Sequence, residues 1–490
     1  MRLSALIDDE ADLPAGNADP EIRGLTADSR RVAPGDLFAA LAGAKADGAR
    51  FAGEAVAKGA AAVLVDAGAA VANLGVPVVR AREPRRALAL MAARFSGIQP
   101  ATALAVTGTS GKTSVAEFTR QILAALGRRA ASLGTIGVVK PDGAVYGSLT
   151  TPDPIALHAT LAELAREGVT HLAFEASSHG LDQHRLDGVR LTAAAFTNLG
   201  RDHMDYHPTV EHYLAAKLRL FRELLQPGQP AVINADGAMS SAALEAAKSR
   251  GLALLTVGRA GETLRLEEAQ RDGFAQRLTI CHDTKSYDIR LPLIGAYQVE
   301  NALVAAGLAI AAGEDPERAI SALEGLTGVS GRLEIVGEVR GGLVVVDYAH
   351  KPEALIAALA ACRPFATGKL VCVFGCGGDR DKGKRPIMGR IAAEAADRVV
   401  VTDDNPRSER PEAIRAEILS GVPAAARAKV HEIGDRRLAI HAAVASIGPG
   451  DVVLIAGKGH ETGQIVGDTV LPFSDHEVAG SEIRREMGHV

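Results

Sequence analysis

Ala105-Val-Thr-Gly-Thr-Ser-Gly-Lys-Thr-Ser114 carries the most information in this chain. An apolar run, Ala103 to Val106, leads into a glycine-rich turn, after which Lys112 and Thr113 open a helical pattern. Backbone N–H groups of such a turn, with the positive end of the following helix, cradle phosphate oxygens. Gly108, Thr109, Ser110, Gly111, Lys112, Thr113 and Ser114 are therefore expected to hold a nucleotide, with Lys112 on the outer phosphates and the Thr113 hydroxyl on Mg²⁺. Val106 stands where the general pattern has its first glycine, so Gly-x-x-Gly-Lys-Thr is a shortened variant. The sequence implies a protein that handles ATP.

Composition sets the class. The 490 residues are 47% hydrophobic and 23% charged, with no tryptophan, as in a globular protein of two to four domains. A net charge of −5 argues against a nucleic-acid surface, while leaving room for local basic clusters that bind anionic small molecules. Cys281, Cys362, Cys372 and Cys376 lack C-x-x-C spacing and read as reduced core thiols. Met1 to Pro14 has early acidic residues and no signal-peptide core, and no apolar stretch reaches bilayer length. A cytoplasmic protein without membrane insertion is expected.

The fold expected is α/β in three domains: 1–97, 98–331 and 332–490. The first shows strand-like runs at Ala61–Val65 and Val76–Val79, and an Ala-rich helix over Glu54–Ala62. The second carries the P-loop and alternates strand and helix. In the third, four apolar runs each end in a polar or glycine-rich loop: Leu343–Val346, Leu370–Phe374, Val399–Val401 and Val452–Ile455. Helical patterns between them predict a parallel sheet with ligands at the carboxyl ends of the strands.

Several side chains stand out near the P-loop. Glu175 ends the strand-like Leu172–Glu175 and suits a metal ligand or a helix-capping group. His203 suits Mg²⁺ or a surface loop. Tyr213, Lys217 and Phe221 are spaced by four and share one helical face within Glu211–Leu225. Lys217 either snorkels outward or stays desolvated, with a lowered pKa and an amine able to add carbon dioxide as a carbamate. Asn301 can both donate to and accept from an adenine edge. Arg332, at the second segment boundary, can reach phosphate.

These elements together resemble the Mur ligases over essentially the whole chain: Thr107–Thr113, Glu175–His179, Asn198–His203, Tyr297–Asn301 and Gly331-Arg332. Asp28-Ser-Arg30 with Gly35–Phe38 looks like that family's uridine-nucleotide domain. Asp404-Asn-Pro-Arg407, Gly375–Arg380 and Gly457–Glu461 point to a branch that adds meso-2,6-diaminopimelate. The resemblance implies a small N-terminal uridine-binding domain, a central P-loop ATPase domain with a mostly parallel sheet, and a C-terminal Rossmann-like domain. It implies ATP, Mg²⁺ and UDP-N-acetylmuramoyl-L-alanyl-D-glutamate as ligands, and a monomer in peptidoglycan synthesis.

Residue by residue, the resemblance implies uridine-side contacts from Ala27, Ser29, Ala44, Lys45 and Ala46. It implies dipeptide-side contacts from Thr150, Thr151, Ser177, Gln183 and Arg185. Asp347 joins the ATP set. Arg380, Asp404, Asn405, Pro406, Arg407, Gly457 and Glu461 fall to the diaminopimelate. Thr113, Glu175, His203 and a carbamate on Lys217 fall to the metal, and Lys112, Lys217, His203 and Arg332 to catalysis. Ala44-Lys45, Leu149 and Lys351 depart from the family pattern.

The chemistry explains the residue types. A carboxylate is a poor electrophile, and ATP converts it to an acyl phosphate that an amine attacks. Two anions must meet, so cations and Mg²⁺ are needed. Diaminopimelate differs from lysine by one distal carboxylate, which the Arg407 fork can take bidentately. Alternatives are a lysine-adding ligase, a folylpolyglutamate synthase-like enzyme, an NAD-dependent module in the third segment and a nucleotide switch. Arg407 opposes the first and the N-terminal domain the second. Gly375–Arg380 lacks the sixth glycine that the third requires.

Overall fold

The computed structural model describes residues 1–12, 18–43, 47–145, 150–200, 202–204 and 206–488. The chain divides into two compact units, Met1–Gly261 with Gly307–Asp315, and Glu262–Ala306 with Pro316–Val490.

The first unit holds a five-stranded sheet in the order Ala11–Asp12, Val78–Ala81, Ala62–Asp66, Asp36–Ala39, Gly24–Thr26. All neighbours are parallel except the first pair. The helix expected over Glu54–Ala62 is shorter, Ala52–Ala57. Gly59 turns the chain, and Ala62 already begins a strand whose Val63–Val65 are fully buried. Alanine-rich composition is shared by helices and tight cores, so the glycine decides the boundary.

A second sheet in this unit runs Ala253–Gly258, Pro230–Asn234, Ala193–Phe196, Thr102–Thr107, His171–Glu175, Ala130–Gly134 and then two antiparallel edge strands. Thr102–Thr107 lies centrally, in parallel register with both flanking strands: Glu175 pairs with Val106 and Phe196 with Thr107. Three strands thus end together, and the loops after Thr107, Glu175 and Phe196 emerge at one edge. That register concentrates the site.

The second unit contains an antiparallel meander, Leu264–Asp272, Ala275–His282 and Lys285–Leu291. Its main sheet runs Glu334–Val339, Gly342–Asp347, Val452–Ala456, Leu370–Phe374, Arg398–Val401, Val430–Glu432, parallel beyond the first hairpin. Both faces are covered. Val345, Cys372 and Val399 pack on one side, and Val346, Val371 and Val400 on the other. Burial on both faces is why these strands read as unbroken apolar runs. The four predicted runs are all strands, and their loops share the carboxyl edge. The helix Pro352–Cys362 starts with proline at its first turn, and Arg436–Val444 is capped by Asp435, so loop and helix starts are fixed locally.

Candidate functional site

At the end of the strand Thr102–Thr107 the chain turns against its neighbour so closely that only glycine fits. Gly108 has φ 149°, and a Cβ there would lie 1.9 Å from Thr197 Oγ1. The helix Lys112–Ala125 follows directly. Asn198 braces the turn from the next strand end: its backbone carbonyl accepts from Thr109 N at 2.9 Å and its Oδ1 from Ser110 N at 3.1 Å. Thr197 Oγ1 donates to Ser110 O at 2.7 Å. Lys112 Nζ lies over the turn, donating to the carbonyls of Gly108 and Thr109 at 2.9 Å each. Ser114 is buried. The turn is held in shape by protein bonds, as a preorganised anion cradle must be.

Thr113 Oγ1 donates to Glu175 Oε1 at 2.9 Å. Glu175 also accepts from Thr135 N at 2.7 Å, so it does not cap the following helix; Ser177 does, accepting from Gly180 N at 3.0 Å. The five residues expected on the dipeptide side are linked to one another and to this acid through a chain of hydrogen bonds. Thr135 bonds Thr150 hydroxyl to hydroxyl at 3.0 Å, and Thr151 Oγ1 donates to the Glu175 carbonyl at 3.0 Å. Ser177 N donates to Thr151 Oγ1. Arg185 donates to Thr151 O at 2.7 Å and to Gln183 Oε1 at 2.7 Å.

Lys217 does not snorkel. Tyr213, Lys217 and Phe221 are all essentially buried, on a helix Val210–Arg219 that passes into a π-turn at Leu220–Leu224. Lys217 Nζ donates to Gly108 O at 2.7 Å and sits 4.3 Å from the Tyr213 ring centre. Burial, with the like charge of Lys112, holds its pKa well below the ordinary lysine range. His203 takes a left-handed backbone, φ 56°, with its Nε2 3.6 Å from Asp202. Its ring lies edge-on to His179, centres 4.8 Å apart. Among the described residues no group of three or more His, Cys, Asp or Glu is assembled for a metal ion.

In the second unit, Asn301 is buried, and its amide donates to Gln298 Oε1 at 3.0 Å while Gln298 Nε2 donates to Arg332 O at 3.0 Å. The Arg332 guanidinium lies over the Tyr348 ring, 5.2 Å from its centre. Asp347 accepts from Leu333 N and Ala349 N, both at 2.8 Å, and burial pushes its carboxyl up to about 6. It braces the backbone beside Arg332.

The residues expected to meet diaminopimelate lie in loops at the carboxyl edge of the main sheet. Arg407 is left-handed, φ 50°, pinned by N–H to Ile465 O at 3.0 Å and by Gly467 N to its own carbonyl at 2.8 Å. Its Nη1 donates to Gly378 O at 2.8 Å. Asn405 Nδ2 donates to Glu461 Oε2 at 2.9 Å. Asp404 is buried, approaching Gly457 so closely that a Cβ there would lie 2.6 Å from Asp404 Oδ2. Pro406 is buried and Arg380 exposed.

Ala27 is exposed and Ser29 half-buried beside Asp28, whose carboxylate accepts from Arg30 Nη2 at 2.8 Å. Ala44, Lys45, Ala46 and Leu149 lie outside the described residues. Sequence reasoning placed Tyr213 on a helical face but missed its hydroxyl, which meets Thr109 Oγ1 at 3.1 Å, and missed the buried Lys458 and Arg385. Arg385 Nη2 donates to Gly377 O at 3.0 Å and to Glu409 Oε1 at 2.9 Å, tying two loops of the set together. Its place in a charged run, Arg380–Arg385, gave no hint of burial.

Three family descriptions match the chain: "Mur ligase family, catalytic domain" over residues 21–96, "Mur ligase middle domain" over 106–309, and "Mur ligase, glutamate ligase domain" over 331–459. The chain is 61% identical to the UDP-N-acetylmuramoyl-L-alanyl-D-glutamate–2,6-diaminopimelate ligase of Bradyrhizobium diazoefficiens, over 99% of each. It is 57% identical to the ligase of that name from Rhizobium meliloti, covering 98% of this chain and 96% of the relative. A solved structure of a ligase with that name matches with a TM-score of 0.71 and 33% identity, over 95% of each chain.

Proposed function

We propose, for a chain that belongs to the Mur ligase family, that it joins meso-2,6-diaminopimelate to the D-glutamate of UDP-N-acetylmuramoyl-L-alanyl-D-glutamate at the expense of ATP. Asn405, Glu461 and the pinned Arg407 at one sheet edge carry this reading. Likeness over 99% of a relative of that name supports it.

In the reaction, the D-glutamate carboxylate oxygen attacks the γ-phosphorus of ATP, releasing ADP and forming an acyl phosphate. The diaminopimelate amine then attacks the acyl carbon, and the tetrahedral intermediate expels inorganic phosphate. Gly108–Ser114 hold the phosphates, and Lys112 offsets the charge that builds as the two anions approach. Thr150, Thr151, Ser177, Gln183 and Arg185 hold the muramoyl-dipeptide end, and Ala27, Ser29 and the 44–46 loop the uridine end. Asn301 takes the adenine edge, Arg332 a phosphate, and Asp347 supports Arg332.

Mg²⁺ fits the donors present, since it favours oxygen and keeps several waters, and Thr113 Oγ1 and Glu175 Oε1 lie 2.9 Å apart. When bound it supplies charge neutralisation on the phosphoryl oxygens. Glu175 and Thr113 would hold it, with His203 and a carbamate on Lys217. A carbamate would keep one N–H, a donor of the kind that Lys217 Nζ now offers to Gly108 O at 2.7 Å.

The three segments 1–97, 98–331 and 332–490 are read as the uridine-substrate, ATP and amino-acid domains of a cytoplasmic monomer. Among the described residues no helix is long and apolar enough to cross a membrane. ADP release measured with the UDP-muramoyl-dipeptide, and with diaminopimelate, lysine or no amino acid, tests the function. Release only with diaminopimelate is expected; release as fast with lysine would overturn the amino-acid assignment.

A further inference from the structure

Lys458 is one of the largest fully buried side chains in the protein, and neither the P-loop chemistry nor the Arg407 contact uses it. Burying an ammonium is expensive unless it is paired and hydrogen-bonded. Its Nζ donates to Asn405 Oδ1 at 2.9 Å and to Glu461 Oε2 at 3.2 Å. Asn405 Oδ1 also accepts from Ile465 N at 3.0 Å, while Asn405 Nδ2 donates to Glu461 Oε2 at 2.9 Å. Two donors at one end of the amide and a carboxylate at the other fix which way it points. Glu461 Oε2 in turn receives Lys458 and Asn405, which leaves Oε1 to take a substrate ammonium. The side chain of Glu461 is one-third exposed and that of Lys458 not at all.

We propose that Lys458 is a positioning residue for amino-acid choice, orienting Asn405 and Glu461 together from beneath the pocket without touching the substrate. The inference rests on the assignment of Asn405 and Glu461 to the amino acid. Without Lys458, Glu461 Oε2 loses its cationic partner and the Asn405 amide one of the two donors that set its direction. Both recognition groups then sample several orientations, and the amino acid must order them on binding.

A double-mutant cycle of Lys458→Met and Glu461→Gln tests this. KM is measured for diaminopimelate, ATP and the UDP-muramoyl-dipeptide, with melting temperature alongside. Lys458→Met is expected to raise KM for diaminopimelate about tenfold, the loss of one charge-assisted hydrogen bond, with the other two KM values unchanged. In the Glu461→Gln background the same change should add about twofold at most, because the group it orients is already altered. Equal effects in both backgrounds, or a parallel rise in all three KM values with a lower melting temperature, would overturn the proposal. Should Lys458→Met not fold, Lys458→Gln, which can still donate to Asn405, takes its place. Failure of both to fold would mark Lys458 as a structural charge only and overturn the proposal too. A wild-type protein that releases no ADP with diaminopimelate would instead refute the ligase function itself.

Discussion

Lys217 Nζ and Lys112 Nζ donate to the same carbonyl, that of Gly108, at 2.7 and 2.9 Å. Two ammonium groups on one buried oxygen repel, and the deeper one gives way. Lys217 is 1% exposed and its pKa lies well below the ordinary 10.5, chiefly through burial. The neutral amine is the form that adds carbon dioxide, and the product carries a negative charge toward a positive neighbour.

Lys217 is therefore expected to carry a carbamate in the active protein. ¹³C-bicarbonate should give a carbamate carbon signal that is lost in Lys217→Ala, with activity lowered by about two orders of magnitude or more. Full activity of wild type without such a signal would contradict the assignment.

Stability should fall in mild acid because of His207. The residue is fully buried, Nδ1 to Nδ1 with His212 at 2.9 Å, and burial lowers its pKa from 6.5 to about 4. The unfolded chain binds this proton below pH 6.5 and the folded chain only near pH 4, so acidification favours unfolding. The contribution is complete above 6.5, shrinks as pH falls, and is gone below about 4. Melting temperatures of wild type and His207→Gln should converge across that window. A constant difference would show that His207 does not titrate as described.

The sheet of the second unit was legible because burial on both faces writes strands as apolar runs, and each of Asp347, Gly375, Asp403 and Gly457 follows such a run. The P-loop was legible because turn, lysine and hydroxyl are contiguous. Lys458 was hidden, since nothing in Gly457-Lys-Gly459 tells whether the side chain points in or out. Tyr213 was seen as one face of a helix, yet its hydroxyl partner Thr109 is 104 residues away, a pairing set by the sheet. The helix end at Ala57 was missed because alanine suits helix and core alike.

Arg436 and Asp475 form a wholly buried pair, Nη2 to Oδ2 at 2.7 Å, and Arg436 also donates to Ala456 O at 3.0 Å. Arg436→Met leaves the acid unpaired and should destabilise by about 3–5 kcal/mol. Arg436→Met with Asp475→Leu should recover most of that. Denaturant unfolding of both variants decides the matter; a loss under about 1 kcal/mol in the single variant would mean the pair is not buried as described.

Arg407 should set the choice of amino acid. Arg407→Ala is expected to lower kcat/KM for diaminopimelate by about a hundredfold to a thousandfold, since the distal carboxylate loses its partner. The slow rate with lysine should fall much less, and the KM for ATP should barely move. Equal falls for both amino acids would make Arg407 catalytic or structural.

The most direct measurement is a competition. Purified protein is given ATP, Mg²⁺, the UDP-muramoyl-dipeptide and equal concentrations of meso-diaminopimelate and lysine, and the product is identified by its mass. The product expected is the diaminopimelate tripeptide, with one ADP formed per amide bond. Lysine tripeptide in comparable amount, or ADP without any new amide, would show that the protein is not a diaminopimelate-adding ligase.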